Sequence, residues 1–432
     1  MSKHRHRLRP SSMRVQKAGK ARSHDSYRRY QAVEQRRHRG QAGTILEPAL
    51  ACSGKRIIVT GNWFCSRSTD GGDNWVFVDP YTELPPAGAG FCCDQLIHYC
   101  SSRRLWIWLL QFSKTTQGNL IRVAVSSSGA PGTWTWWDTT PTDIDEQWSG
   151  TWLDYPDLAE SDNHLLLSFN VFSTTTDRWQ RAVVLRLSLN QLKAREAISR
   201  EAWSTEEFGS LRFCRGMGST AIFASLSYFQ PSIEVFRWPD DEEDVSQVSV
   251  AVRHWRDGPY AKPDDATSQW MNRMDDRVLG AWESGGVLGF VWVASADVQH
   301  PFPFVRVVRI RKSSNELIDE PDLWNSDRAW AYPSVCPNQR GDVGIVAVCG
   351  AGGSHPTLGV GWLDDSDSNA LPNWQMALGD ASSHQPHARA WGDYLDIQPD
   401  PRRKTYWMAS AYTLQGGGGR ANIVPQVLTF KP

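Results

Sequence analysis

Eight side chains of the types that move protons or hold sugars recur at nearly regular places: Asp94, Asp154, Tyr155, Asp157, Asp275, Tyr332, Asp393 and Tyr394. Most stand in short motifs that precede an apolar run: Phe-Cys-Cys-Asp-Gln at 91–95, Leu-Asp-Tyr-Pro-Asp at 153–157, Ala-Tyr-Pro-Ser at 331–334 and Trp-Gly-Asp-Tyr at 391–394. Weaker echoes occur at Leu211–Arg215 and Met271–Asp275. If the motifs converge, two carboxyl groups about 5–10 Å apart could cleave a glycosidic bond, one as acid and the other as base or nucleophile. Tyr and Trp faces beside them would stack on sugar rings. The same side chains could instead cap strands and bond to neighbouring sheets, so a binding centre and a hydrolytic centre both stay open. Asp94, Asp157, Asp393, Tyr155 and Tyr394 are the catalytic candidates. Cys92, Cys93, Asp154, Arg215, Arg273, Asp275, Tyr332 and Trp391 are the candidates for ligand contact.

The elements that must position these residues are short strands. Runs such as Arg56–Thr60, Leu105–Gln111, Ile121–Ser126, Leu165–Phe169, Val183–Leu187, Val291–Ala294 and Phe304–Ile310 alternate with Gly, Asp, Asn, Ser and Pro clusters. Ser188–Arg200 is the one helical pattern. Many short strands with turn signals between them indicate an all-β fold. Taking Asp94, Asp154, Phe213, Met274, Tyr332 and Tyr394 as markers, the steps are 60, 59, 61, 58 and 62 residues. A period near 60 with about four strands per unit predicts a β-propeller of four-stranded antiparallel blades. Six markers predict six blades, the last completed by strands from Leu46–Val78 so that N- and C-terminal strands close the ring. Seven follow if Leu46–Val78 forms a sheet of its own.

Charge divides the chain in two. Its 432 residues carry 46 Lys+Arg against 47 Asp+Glu, but residues 1–40 alone have a net charge of +11 and the remainder −12. Residues 1–43 have few large apolar side chains and cannot offset ordering entropy by burial, which predicts a disordered basic arm before a folded body at 44–432. Such an arm suits a polyanion or an acidic protein surface and could localise the body as a structural or cargo-like protein; it could equally be a solvated tail. No run approaches the roughly 18 apolar residues of a membrane span. No apolar segment follows the start as in a secretory signal, so the cytoplasm is the default, with organellar transit or non-classical export as alternatives.

Ser68-Thr69-Asp70-Gly71-Gly72-Asp73-Asn74-Trp75 fits S-x-D-x-G-x-x-W, with Ser68, Asp70, Gly72 and Trp75 in the fixed positions. Asp accepts backbone N–H bonds at a hairpin tip, Gly supplies positive φ, and Trp packs beneath the turn. The segment resembles the Asp box of bacterial-neuraminidase-repeat propellers, where it is a structural device away from the active centre. A degenerate second copy runs from Ser126 to Trp134. Together with Gly61-Asn62-Trp63-Phe64, Gly90-Phe91-Cys92-Cys93-Asp94-Gln95, Trp152–Asp157, Ala331–Ser334 and Trp391–Tyr394, it resembles a sialidase-like propeller family without an assigned reaction, from about residue 45 to the C-terminus. The resemblance implies the fold more strongly than a function, because function follows the site.

Sialidase chemistry uses three arginines on a carboxylate, a Tyr–Glu nucleophile pair and an acid/base residue. Bidentate guanidinium groups suit that carboxylate. The opening Arg-Ile-Pro of that family is missing here, the nearest text being Arg56-Ile57-Ile58, and Arg212, Arg215, Arg273 and Arg277 do not match the triad's spacing. Sialidase activity itself is therefore not expected. Cys92-Cys93 could form a vicinal disulfide plate or stay as buried thiols, and with no secretory signal reduced thiols are the default. No Cys/His spacing fits a zinc site, and no cofactor motif is found. The sequence predicts a ligand-binding propeller, most simply for a glycan, with glycoside hydrolysis or lysis by paired carboxylates as the alternative.

Overall fold

The computed structural model describes residues 15–17, 27–31, 43, 47–366 and 371–432. Its strands form antiparallel sheets, most of them four strands wide and laid down in chain order. Every strand-like run singled out in the sequence lies within an observed strand; Leu165–Phe169, for example, is the centre of His164–Ser173. The predicted helix is shorter than its pattern. It covers Leu189–Ala194, begins where Ser188 accepts the Gln191 N–H, and ends at Arg195 in the left-handed region.

The first strands of successive sheets are Ala49–Ser53, Phe91–Cys100, Thr151–Glu160, Arg212–Arg215, Val278–Ser284, Ala329–Pro337 and Asp396–Pro399. Each packs beside the next, and the last returns to the first, so these strands close a ring around an axis. The other strands step outward from it, which is the arrangement of a β-propeller. Arg212–Arg215 and Val278–Ser284 pair in parallel and fuse their two sheets into one of eight strands. Close approach at the axis explains a glycine: a Cβ at Gly280 would lie 2.9 Å from Val335 Cγ2 and 3.0 Å from Val291 Cγ2.

The expected ring closure is corrected. The segment ending at Val78 is not borrowed by the last sheet; its strands from Ala49 to Val78 form a four-stranded sheet of their own. The last sheet has three C-terminal strands, and Tyr27–Gln31 supplies the fourth, antiparallel to Gln426–Phe430. Val15–Lys17 pairs in parallel with Met376–Leu378. The rest of the basic arm assigned to residues 1–43, apart from Gly43, lies outside the described residues.

Apolar faces between sheets make up the core, with large tryptophans such as Trp106, Trp108, Trp292 and Trp407 fully buried. Buried amides stitch the sheets together. Gln95 donates through Nε2 to the carbonyls of Gly61 (2.6 Å) and Phe64 (2.8 Å), while its Oε1 accepts from Trp108 Nε1. Asn119 both donates to and accepts from the Leu153 backbone. These bonds satisfy polar groups that would otherwise cost about 1–3 kcal/mol each.

At Ser68–Trp75 the turn is built as its residues imply. Asp70 Oδ1 accepts from Ser68 Oγ (2.8 Å) and from the Asn74 N–H (3.0 Å), and Gly72 N donates to Ser68 Oγ. Trp75 is buried and donates Nε1 to the Gly72 carbonyl. Gly71 N also donates to the Lys55 carbonyl, just past the end of the Ala49–Ser53 strand. This turn therefore sits at the face opposite the starts of the first strands.

Candidate functional site

The first strands run in a common direction around the ring, so the residues that begin them share one mouth. Four of these strands are irregular there. Register shifts fall between Phe91 and Gln95, Asp154 and Asp157, Val278 and Gly280, and Ala331 and Ser334. Tyr155 (φ 55°) and Tyr332 (φ 53°) take left-handed backbone conformations within the bulges. Such strain is unusual for a bulky residue and re-aims side chains that regular alternation would send into the sheet faces.

A cluster of four carboxyl groups occupies the mouth: Glu47, Asp94, Asp154 and Asp393. Glu47, which precedes the Ala49–Ser53 strand, is 2% exposed and accepts from Asn62 Nδ2 at 2.8 Å. Its carboxyl group is hydrogen-bonded to that of Asp94, and burial followed by the charges of Asp94 and Asp393 drives its pKa well up. Burial, then the nearby Asp154, pushes Asp94 up to about 7. The two carboxyl groups share a hydrogen bond, and their burial favours the proton-bearing form of the pair. Tyr394 donates its hydroxyl to Asp94 Oδ2 at 3.4 Å. Burial also raises Asp154, which accepts from Gln111 Nε2 at 2.8 Å; the buried Gln111 Oε1 has no protein hydrogen-bond partner.

Asp393 is held differently. Arg273 Nη2 lies 2.8 Å from its Oδ2, and Arg277 Nη2 lies 3.4 Å from its Oδ1. Arg277 also donates to Asp275 Oδ1 (2.6 Å) and lies over the Tyr155 ring at 4.3 Å. The segments that bring these groups together are tied: Met271 bridges Ala390, and Trp391 N donates to the Trp270 carbonyl at 3.0 Å. The mouth thus holds a buried acid pair, with both pKa values raised, beside a carboxylate fixed by two guanidinium groups. Arg273 and Asp275, each with a side chain 44% exposed, and the half-buried Cys92, Cys93 and Trp152 form its rim.

Not every candidate belongs here. Asp157 lies one step down the channel, where Arg212 Nη1 (3.0 Å) and Arg215 Nη2 (2.9 Å) pair with it and Phe213 N donates to it. Those contacts outweigh burial and lower its pKa, and Asp157 is ion-paired with the buried Arg212 and the half-buried Arg215. Tyr155 accepts from Arg212 at 2.9 Å, and burial raises its pKa, as it does that of Tyr394. Tyr332 donates to the Trp270 carbonyl and is fully buried with Trp391 in the core behind the mouth. Tyr332 and Trp391 are each 1% exposed and lie behind the mouth.

Cys92 and Cys93 are joined as a vicinal disulfide, while the other six cysteines are free and buried. That pairing departs from the reduced default. Arginines converge on the axis, but Arg212 and Arg215 engage Asp157, and Arg273 and Arg277 engage Asp393, so these four do not form a free triad. Sequence reading missed Glu47 and Gln111. Glu47 precedes the first marker and carries no repeat signature. Gln111 ends an apolar strand.

No family model and no curated protein matches the chain. Solved structures similar to it include an α-L-arabinofuranosidase from Fusarium graminearum in complex with an iminosugar inhibitor (12% identity, 89% of this chain and 92% of that chain, TM-score 0.44). Another is the NanB sialidase from Streptococcus pneumoniae (8% identity, 88% and 84%, TM-score 0.42). A third is a Penicillium chrysogenum α-L-arabinanase complexed with arabinobiose (9% identity, 89% and 93%, TM-score 0.40).

Proposed function

We propose that this chain is a seven-bladed propeller that binds a glycan at the carboxylate mouth and hydrolyses a glycosidic bond there. One observation carries this reading: a buried carboxyl pair, Glu47–Asp94, whose burial favours the proton-bearing form, shares a cluster with an arginine-held carboxylate, Asp393. Glycoside hydrolysis needs a carboxyl group that keeps its proton near neutral pH to protonate the leaving oxygen. It also needs a negative charge facing the oxocarbenium-like transition state. The Glu47–Asp94 pair fills the first role and Asp393 the second. Arg273 and Arg277 hold the Asp393 carboxylate in place. Asp154, oriented by Gln111 Nε2, would accept from sugar hydroxyls.

Binding without turnover is the second reading. It is favoured by the pairing of Asp393 with two guanidinium groups, which engages both of its oxygens. Release of reducing ends from neutral oligosaccharides, measured for the wild type, Asp94→Asn and Asp393→Asn, separates the two. Hydrolysis predicts turnover that falls at least about 100-fold in both variants while binding persists. Binding by the wild type with no release supports the second reading, and absence of both refutes the glycan assignment. For residues 1–43 we propose a polycationic tether for an anionic surface, tested by charge-neutralising substitutions that leave Tyr27–Gln31 intact.

A further inference from the structure

Beside the mouth is a cavity of about 420 Å³ that the chemistry above does not use. It lies under the loop between the strands Thr220–Leu226 and Ser232–Pro239, where Tyr228 is 69% and Phe229 90% exposed. Two adjacent aromatic rings left in water lose the burial that normally holds such side chains, and large exposed apolar groups of this kind mark binding sites. The opposite wall carries Trp255 and two acids, Asp257 and Asp276. Trp255 donates Nε1 to Asp276 Oδ2 at 2.7 Å, which fixes both, and its ring packs edge-on against buried Trp292 at 5.3 Å. Asp257 accepts from the Tyr260 hydroxyl at 2.8 Å and keeps its second oxygen for another donor.

The cavity is continuous in sequence with the mouth. Asp275, Asp276 and Arg277 are consecutive: Arg277 reaches Asp393 at the centre, while Asp276 lines the cavity. Tyr228 and Asp276 line the same cavity, and Asp276 stands between Asp275 and Arg277 of the mouth.

We propose that this cavity is an outlying subsite for a further neutral sugar residue of an oligosaccharide whose reactive end lies at the carboxylate mouth. The inference rests on the glycan reading of the centre. Sugar rings offer an apolar face and a rim of hydroxyl donors, matching the rings of Tyr228, Phe229 and Trp255 and the acceptor oxygens of Asp257 and Asp276. The two carboxylates repel an acidic sugar, so the chain that extends here is neutral.

The test measures affinity of the full chain for neutral linear oligosaccharides of one to six residues in the arabinose, xylose, glucose and galactose series, with an acidic series beside them. Tyr228→Ala, Phe229→Ala and the double variant are compared with wild type; both residues are exposed, so folding is unaffected. Wild type should gain about tenfold or more in affinity beyond the residue held at the mouth. The double variant should lose that gain and keep its affinity for the shortest ligand. A wild type that binds sugars with no gain for length, a gain that survives in the double variant, or a preference for the acidic series overturns the subsite while leaving the central reading in place. Absence of binding to any glycan overturns both.

Discussion

Asp94 should make the fold less stable as pH rises, and Asp94→Asn should remove that dependence. In the folded chain its pKa is pushed from 3.8 up to about 7, mainly by burial and then by Asp154. The unfolded chain therefore loses this proton near pH 4 and the folded chain only near pH 7. Between those values the folded state binds the extra proton, so stability falls with rising pH. For a single group with these two pKa values the loss between pH 5 and pH 8 is about 2.5 kcal/mol, each tenfold difference in proton affinity being worth about 1.4 kcal/mol. Glu47 and Asp154 are raised for the same reason and add a fall of the same sign. Asparagine keeps the shape and an acceptor for Glu47 but does not ionise, so the variant should gain stability at pH 8 relative to wild type and change little at pH 5. Urea unfolding at pH 5, 6, 7 and 8 measures the two slopes. Equal slopes in wild type and Asp94→Asn would refute both the buried position of Asp94 and the assignment of the mouth's protons.

Trp75→Ala should cost about 3–5 kcal/mol in denaturant unfolding without altering glycan affinity, because the ring is buried beneath a turn on the opposite face. Thiol titration should find no fast-reacting cysteine in the native chain, six after unfolding and eight after unfolding with reduction. Gly280→Ala should destabilise by about 1–3 kcal/mol, since its Cβ would press on Val335 and Val291 at the axis; a neutral result would contradict the close approach of the first strands. Removing residues 1–43 should lower the melting temperature by stripping Tyr27–Gln31 from the last sheet and exposing the edge of Ile423–Phe430.

Local chemistry made much of the fold legible. The strands at Leu105–Phe112 and Phe304–Arg311 are apolar runs bounded by turn residues, and their class follows from composition alone. Ring closure was not legible, because pairing Tyr27–Gln31 with the C-terminal strand depends on contacts nearly 400 residues apart in a polar segment without period. At the site, the motif spacing pointed to Asp94, Asp154 and Asp393, which meet at the mouth. Asp157 shares the motif of Asp154, but the bulge at Tyr155 turns it down the channel toward Arg212 and Arg215. Glu47 was invisible for a physical reason: its role comes from burial against Asp94, and a lone glutamate before a strand leaves no pattern.

On the reading proposed above, the Glu47–Asp94 pair delivers a proton to a glycosidic oxygen. The most direct measurement is the pH profile of oligosaccharide hydrolysis by wild type and Asp94→Asn. Wild-type turnover should fall on an alkaline limb near pH 7, where Asp94 loses its proton. In Asp94→Asn, turnover should drop at least about 100-fold and the limb should move or vanish. Hydrolysis by Asp94→Asn at the wild-type rate with the same alkaline limb would show that Asp94 takes no part in the proton transfer.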